Sequence, residues 1–486
     1  MKKLVGLFLL GVLILALIAT NINPHVTFDA SYYHVMAERL AKGNGFVEPV
    51  VWQYLNNYEQ VEHPMDYWMP LGVVAYCAAL KIGGPAGELS LNILIWAFLA
   101  AMVFREVFKQ TNSNFCAAVA FFLCIFHGRN LFYLLTTDNF AFSALLGYLI
   151  VQAMCHDQPH AIRTAFLSGL LALLRIEGLA FAFFAGLWEL AKNWRLKTAV
   201  CYATTFLVTI SPWVIRNLVV LGKPWTSNSK ALFLVDYFDF FNDTASLSLS
   251  NYLAQGWSGI LAQKATGLVY SITNLVIVPS HLLLLPLFAV GLAFLWASSG
   301  RIFAAFLMLS WLLCGIVFPL QSMHGTVIHI SAFFYGYFFI FTGVGLHCLK
   351  THFNLRPALY RTIGILAILV NVVVSAAFIK HFTAAYEEDF THYRKLFAKI
   401  QPEAGDKIAS ANPLLVYQLT GATGALASTH TSNPQNIAEK FACNFIITDP
   451  RSVSPRDIDP GKWAIIASES GIQMFRRQGN LSDGKD

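Results

Sequence analysis

The sequence predicts an α-helical polytopic membrane protein that ends in a small extracytoplasmic α/β domain. Of its 486 residues, 56% are hydrophobic and only 12% are charged, whereas soluble domains carry about 25% charged residues. Long apolar runs recur from residue 4 to residue 380, without the alternation that β-barrel strands require. Such runs form helices because lipid offers the backbone polar groups no other partner. After residue 380 charges become frequent and apolar runs become short, which indicates a soluble domain over residues 381–486.

Charge and cysteine usage narrow the function classes. The net charge is +6, and most lysines and arginines lie between apolar runs, which indicates membrane topology rather than nucleic-acid binding. The eight cysteines are scattered and show no CxxC spacing, so neither a disulfide framework nor a cysteine metal site is expected.

About eleven transmembrane helices are expected in residues 1–380, together with shorter juxtamembrane helices. The first begins after Lys2 and Lys3 and is interpreted as a retained span, although a secretory signal peptide has the same pattern. The predicted spans are 4–20, 88–106, 114–131, 139–155, 163–174, 177–191, 198–214, 281–298, 302–319, 328–348 and 362–380.

The run 71–83 is apolar but too short to cross a membrane, so it is predicted to be a juxtamembrane helix. With 71–83 left out and the N-terminus inside, every short cytoplasmic loop is basic, as the positive-inside rule requires. This topology places three parts of the chain outside the cytoplasm: the first outside loop 21–83, the large outside loop 215–280 and the domain 381–486.

The same topology brings polar residues of distant segments to the outer face of the membrane, namely Asp29, His63, Asp66, Asp138, Arg175, Glu177, Arg216 and His324. Ionisable groups at membrane depth are costly and usually face a cavity or a partner. A lipid-phosphate substrate needs such a set, because arginine neutralises the phosphate as it leaves and a carboxylate deprotonates the acceptor.

Each of these residues also has a purely structural interpretation. Asp29 and Asp138 could cap helices, Arg175 and Glu177 could form a local ion pair, and Arg216 could reach towards lipid headgroups. His63 with Asp66 or Glu62 could hold a divalent metal, although that spacing is unspecific and the sequence requires no cofactor.

Five segments carry a resemblance to a known family. They are Phe28-Asp29-Ala30-Ser31-Tyr32-Tyr33 with Leu40 to Phe46, His63-Pro64 with Tyr67-Trp68-Met69-Pro70, Thr137-Asp138-Asn139, Leu174-Arg175-Ile176-Glu177-Gly178, and Pro212-Trp213-Val214-Ile215-Arg216-Asn217 with Gly222-Lys223-Pro224. In this order they resemble motifs of the polytopic C-fold glycosyltransferases, in particular the branch of the protein O-mannosyltransferases and the lipid A aminoarabinose transferase. The chain departs from the family pattern at Ala30, at Met65 and at His324 with His329.

The resemblance implies transfer of a sugar, with inversion, from a polyprenyl-phosphate donor to an extracytoplasmic glycan, lipid or protein. Asp29 would be the general base, and Asp138, the other catalytic residue, would lie across the cavity and help shape or polarise the acceptor site. The residues implied for the donor phosphate are Arg175, Arg216 and His324. The residues implied for the substrate cavity are Tyr33, His63, Asp66, Trp68, Glu177 and Asn217.

The resemblance also implies a multi-pass protein of the inner (plasma) membrane, with membrane lipid and the lipid-linked donor as partners and no nucleic acid. Two other classes stay open on the sequence alone. A transporter or lipid flippase would also be polytopic, although no internal repeat is visible here and the charged residues gather at one face. A non-catalytic scaffold would use the C-terminal domain to bind a partner.

Overall fold

Helices dominate the structure, a computed structural model that describes residues 2–156, 160–192, 194–224, 226–280, 282–403, 405–427, 433–449 and 458–478. In chain order the helices are α1 (Lys2–Ala19), α2 (Phe28–Ala41), α3 (Pro70–Gly83), α4 (Pro85–Thr111), α5 (Asn114–Ile125), α6 (Leu131–Leu134), α7 (Phe140–Met154), α8 (Ala161–Leu174), α9 (Gly178–Ala191), α10 (Leu196–Leu221), α11 (Leu249–Ala254), α12 (Gly256–Ile272), α13 (Val278–Ser280), α14 (Leu285–Phe294), α15 (Arg301–Leu312), α16 (Pro319–Gln321), α17 (Val327–Ser331), α18 (Tyr335–Thr351), α19 (Pro357–Lys399), α20 (Pro413–Thr420) and α21 (Pro434–Lys440). Tighter 3-10 turns occupy Gly128–Asn130, Ser227–Phe233, Tyr237–Phe241 and Ala332–Phe334, and wider π turns occupy Thr273–Ile277, Trp296–Gly300, Leu313–Val317 and Ser322–Thr326.

The polytopic helical fold that the sequence predicted is confirmed. Among the described residues, seven continuous helical stretches are long and apolar enough to cross a membrane: Lys2–Ala19, Pro85–Thr111, Leu196–Leu221, Gly256–Ile277, Trp296–Val317, Pro319–Thr351 and Pro357–Lys399. The number rises to eight if α5 and the bent piece Gly128–Leu134 form one span. The count of eleven stays a prediction, because α7, α8, α9 and α14 are apolar helices of only 10–17 residues.

One stretch of this set was not expected from the sequence. Gly256–Ile277 lies in the segment that the sequence placed in the large outside loop, and its mean hydropathy of 1.2 is the lowest of the seven. Polar side chains such as Gln263 and Lys264 dilute its apolar pattern, which is why a hydrophobicity argument passed over it.

The chain divides into two compact units, and the first contains the membrane helices. It comprises Met1–Pro24, Trp68–Val219 and Leu261–Thr383. Its closest helix contact joins α14 to α18: a Cβ atom at Gly345 would lie 1.8 Å from the carbonyl oxygen of Leu287, and one at Gly291 would lie 1.8 Å from that of Phe341. Small residues allow such backbone approaches between membrane helices, where dispersion contacts replace the hydrophobic effect.

The second unit combines three segments that are far apart in the sequence: His25–Tyr67, Val220–Ile260 and Ala384–Asp486. Its strands are β1 (Val47–Glu48), β2 (Val50–Val51), β3 (His63–Pro64), β4 (Lys407–Ser410), β5 (Thr423–Leu426), β6 (Phe445–Thr448), β7 (Trp463–Glu469) and β8 (Ile472–Arg477). Six of them form one sheet in the order β2-β5-β4-β6-β8-β7, in which the first four strands are parallel and β8 is antiparallel to both neighbours.

The sheet therefore includes a strand from the first outside loop. Val50 and Val51 pair in parallel with Gly424 and Ala425 of β5. Strand β6 is buried along its whole length, as expected for a strand between two neighbours with helices on the faces. The α/β character predicted for the tail is confirmed, and its sheet is extended by a strand that lies more than 350 residues earlier in the chain.

Candidate functional site

Asp29 lies in the first turn of α2, but another residue caps that helix. Thr27 is the N-cap, and its side-chain oxygen accepts a hydrogen bond from the backbone N–H of Ala30 over 3.2 Å. Asp29 is half-buried. The pKa of Tyr237 is raised to about 12, first by burial and second by the nearby charge of Asp29. The helix consequently does not need Asp29 as its capping residue.

The C-terminal part of the second unit holds α2 in place. Ser31 Oγ lies 2.7 Å from the carbonyl oxygen of His25 and 3.1 Å from Gln418 Oε1. At the other end of α2, Arg39 donates to the hydroxyl of Tyr417 over 3.1 Å and to Glu62 over 2.8 Å. Side chains on α20 therefore position the helix that carries Asp29.

A buried pair of acids lies next to α2 in the same unit. Glu48 Oε1 accepts from the hydroxyl of Tyr32 over 2.8 Å, and Glu48 Oε2 accepts from Trp52 Nε1 over 2.7 Å. Asp66 accepts from the hydroxyl of Tyr58 over 2.9 Å and from the side-chain amide of Asn56. Both acids are almost completely buried, so the pair is built by the fold and is not a solvated acidic patch.

The pair affects the protonation of Glu48. Burial, and then the negative charge of Asp66, raises the pKa of Glu48 to about 8. Two acids in one low-dielectric site resist double ionisation, so Glu48 holds a proton near neutral pH. The hydrogen bonds that Glu48 accepts from Tyr32 and Trp52 lower its pKa and offset part of this rise.

His63 lies beside this acid pair. Its Nε2 is 3.9 Å from Glu48 Oε2, its Nδ1 is 3.2 Å from the carbonyl oxygen of Pro64, and its ring stacks on Tyr58 at 4.0 Å. Burial lowers the pKa of His63. The two acids that the sequence offered as metal ligands beside His63 are already engaged within the protein, Asp66 as above and Glu62 with Arg39.

An aromatic cluster covers the same region. Trp52 contacts Phe28, Tyr67 and Phe240 with ring centroids 5.5, 4.9 and 5.7 Å apart. Tyr33, which the sequence assigned to the substrate cavity, is completely buried with its ring 5.8 Å from that of Tyr32. The aromatic side chains therefore form much of the packing around α2.

Asp138 belongs to the first unit and is held in a tight turn. Its Oδ1 accepts from the backbone N–H of Asn139 over 2.6 Å and lies 3.6 Å from His329 Nδ1. Its own carbonyl oxygen accepts from the hydroxyl of Tyr76 over 2.6 Å. Asp138 is 2% exposed, so its carboxylate is buried among polar contacts.

Arg175 and Glu177 form a buried ion pair at the break between α8 and α9. Arg175 Nη2 lies 2.9 Å from Glu177 Oε1, and each side chain is 8% exposed. The backbone of Arg175 is extended, which ends α8. The ion pair that the sequence offered as the structural interpretation is thus present, and a role in phosphate binding stays a prediction.

We expect Glu177→Ala to destabilise the first unit by about 3–5 kcal/mol, because it leaves the buried Arg175 charge without its acid. Denaturant titration of the purified protein in detergent measures the free energy of unfolding and therefore this loss. The matched control is Glu38→Ala, since Glu38 and Lys42 are also 2.9 Å apart but 43% and 62% exposed. That exposed pair contributes only about 0–0.5 kcal/mol, and equal losses in both variants would contradict the expectation.

The remaining predicted residues lie in the first unit at helix ends and kinks. The Arg216 guanidinium lies 4.7 Å above the ring of Trp213 and donates to Asn217 Oδ1 over 3.0 Å, near the end of α10. His324 lies at a kink where Gly325 adopts a φ of +127°. Trp68 is half-buried just before α3. Their grouping around one substrate stays a prediction.

Sequence reasoning missed several polar residues that the structure brings together. Glu48 and Tyr58 were not singled out, although an acid between apolar residues in Phe46-Val47-Glu48-Pro49-Val50 was a visible signal. Arg129 was also missed, because the break that contains it lies inside a long apolar run.

The architecture defines the class of fold. A bundle of membrane helices is combined with a second unit in which residues 25–67 pack with the C-terminal α/β segment. The chain is similar to the crystal structure of ArnT from Cupriavidus metallidurans bound to undecaprenyl phosphate, with a TM-score of 0.57 and 12% identity over 99% of both chains.

The apo state of the same ArnT matches with a TM-score of 0.38 and 10% identity, covering 100% of this chain and 99% of ArnT. No family model and no curated protein match the sequence. The likeness to the ArnT structure with bound undecaprenyl phosphate confirms the predicted resemblance at the level of the fold.

Proposed function

We propose that this protein is a membrane glycosyltransferase that moves a sugar from a polyprenyl-phosphate donor to an extracytoplasmic acceptor, with Asp29 as the general base. The fold likeness to ArnT bound to undecaprenyl phosphate, which extends over 99% of both chains, carries this proposal. The position of Asp29 supports it, because Thr27 caps α2 and the helix does not need the Asp29 carboxylate for that purpose.

In the proposed reaction the Asp29 carboxylate removes the proton from an acceptor hydroxyl or amine. The acceptor atom then forms a bond to the anomeric carbon from the face opposite the phosphate, which inverts the configuration. The bond between the anomeric carbon and the phosphate oxygen breaks, and the phosphate keeps the electron pair. Positive side chains stabilise the charge that develops on the phosphate, and Arg175, Arg216 and His324 are proposed for this task.

The second unit is proposed to lie outside the cytoplasm and to contain the acceptor side of the site. The two outside loops and the tail, which the charge pattern placed on one side of the membrane, contribute to one compact unit. Asp138, which lies 3.6 Å from His329 Nδ1, is proposed to help shape or polarise the acceptor site.

The test is stabilisation of the purified protein by a panel of polyprenyl phosphates with and without attached sugars, followed by a transfer assay with the best ligand. Binding to the folded state raises the melting temperature by mass action. We expect one lipid-linked sugar to stabilise the protein more than undecaprenyl phosphate itself. No response to any lipid phosphate, in folded protein, would refute the proposal.

A lipid flippase is the competing function, and the break between α5 and Gly128–Leu134, bent by 50°, favours it because transporters often contain broken helices. A flippase would bind the same lipids but would release the sugar still attached to its phosphate. Reconstitution in vesicles with a labelled lipid-linked sugar distinguishes the two: transfer to an acceptor supports the transferase, and movement of the intact lipid supports the flippase.

A further inference from the structure

The helix break after α5 places a polar segment inside an otherwise apolar part of the first unit. Residues 126 and 127 separate α5 from the turn Gly128–Asn130, and the helical pieces on the two sides differ in direction by 50°. Gly128 adopts a φ of +60°, and its N–H donates to Ser375 Oγ of α19 over 2.9 Å. The break is therefore a fixed feature that α19 holds in place.

Arg129 is the charged residue of this turn. Its guanidinium carbon lies 6.0 Å from the centre of the Phe382 ring. Its Nε is buried and has no hydrogen-bond partner among the described residues. Within the same described part of the chain no carboxylate forms an ion pair with Arg129. Burial of a charged group without a partner is costly, and an aromatic face offsets only part of that cost.

Three other buried or half-buried cations in the described part of the chain are paired with acids. Arg39 lies 2.8 Å from Glu62, Arg175 lies 2.9 Å from Glu177 and Lys192 lies 2.9 Å from Glu189. Arg129 departs from this pattern although it lies near the outer end of the predicted span 114–131. An uncompensated cation at such a depth usually marks a site for an anionic partner.

The surroundings of Arg129 are polar but uncharged. Asn130 is buried, and its Oδ1 has no hydrogen-bond partner among the described residues. The His127 ring lies 3.9 Å from that of Tyr335, whose hydroxyl is 2.9 Å from Ser331 Oγ. The short helix α13 lies beside the turn. A positive charge among neutral polar groups suits an anionic ligand.

We propose that Arg129 binds the phosphate of the lipid-linked substrate. This inference rests on the proposed function and adds a residue for its donor site. A planar guanidinium donates two parallel hydrogen bonds to phosphate oxygens. Arg129 has the positive charge available for this purpose, whereas the charge of Arg175 is already balanced by Glu177.

The test compares undecaprenyl phosphate binding, measured from the melting temperature at increasing lipid concentration, in wild type, Arg129→Met and Arg301→Met. Methionine keeps an unbranched stem against Phe382 but removes the charge. Arg301 is the matched control, because its guanidinium also lies over an aromatic ring, that of Trp188 at 5.7 Å, but at the predicted cytoplasmic side. We expect Arg129→Met to weaken binding about 10- to 100-fold and Arg301→Met to leave it unchanged.

Three further ligands identify what Arg129 recognises: undecaprenol, inorganic phosphate and phosphatidylglycerol. The proposal requires that the substitution leaves undecaprenol binding unchanged and that inorganic phosphate alone stabilises the wild type weakly or not at all. Equal weakening of phosphatidylglycerol binding would indicate a site for bulk lipid and would overturn the assignment. If Arg129→Met does not fold, Arg129→Lys and Arg129→Gln replace it, and the proposal requires lysine to bind more tightly than glutamine.

The outcomes separate this inference from the proposed function. Equal undecaprenyl phosphate binding by wild type and Arg129→Met would overturn the role of Arg129 and leave the transferase proposal standing. Absence of binding by the wild type itself would refute both.

Discussion

Asp29→Asn is expected to lower the rate of sugar transfer by about 10²- to 10⁴-fold, because asparagine cannot accept the proton of the acceptor. The side chains have nearly the same shape, and Thr27 rather than Asp29 caps α2. The melting temperature should therefore stay close to that of the wild type. Transfer is measured with the lipid-linked sugar that stabilises the wild-type protein, at saturating donor, so that loss of the base appears in kcat.

Two variants on the same helix serve as controls for Asp29→Asn. Glu38→Gln changes an exposed acid that pairs with Lys42 and should leave both rate and stability unchanged. Thr27→Ala removes the cap and should cost about 1 kcal/mol of stability while transfer per folded molecule persists. Full activity of Asp29→Asn would eliminate Asp29 as the base, and the helix dipole would then be the remaining reason for an acid at this position.

The stability of the protein is expected to fall between about pH 6.5 and pH 8, and Glu48 is the cause. The pKa of Glu48 is about 8 in the folded protein, well above that of an exposed glutamate, about 4.3. Between these values the folded state binds one proton more than the unfolded state, so raising the pH favours unfolding by up to about 1.4 kcal/mol per pH unit. The stability that the raised pKa of Glu48 contributes is completely lost only above pH 8.

The lower limit of this window comes from histidine. Burial lowers the pKa of His63, and burial together with His34 lowers the pKa of His25 to about 3. These groups take up protons on unfolding only below their ordinary pKa of about 6.5, so there they oppose Glu48. Above pH 6.5 these histidines no longer oppose Glu48, which makes that range the informative one.

Glu48→Gln should remove the pH dependence above pH 6.5. Glutamine keeps both hydrogen bonds, because its oxygen can accept from Trp52 while its amide donates to the hydroxyl of Tyr32. Asp66→Asn should shift the wild-type window to lower pH, since the charge of Asp66 is the second cause of the raised pKa. Melting temperatures at pH 6.5, 7.25 and 8 test both predictions. Glu439→Gln, which changes an exposed acid, is the control. A persistent slope in Glu48→Gln would assign the pH dependence to other groups.

Sequence reasoning located one break between helices and missed another. Arg175-Ile176-Glu177 was recognised as an interruption, and it separates α8 from α9 in the structure. The run 114–131 was predicted as one straight span, whereas it bends by 50° before Arg129. Hydrophobicity reports burial in lipid or protein, but a bend at Gly128 depends on a hydrogen bond to Ser375, some 250 residues further along the chain.

The sequence by itself determined the helical membrane class, because 56% hydrophobic residues in long runs allow no other spanning structure. It also determined that the tail is an α/β unit, because charge density and run length change after residue 380. Only the tertiary structure decided that Val50 and Val51 extend the sheet of that tail, that Glu48 and Asp66 share one buried site, and that Arg129 Nε is buried without a hydrogen-bond partner among the described residues. These features arise from contacts between distant segments, and local composition carries no information about which distant partner a side chain will meet.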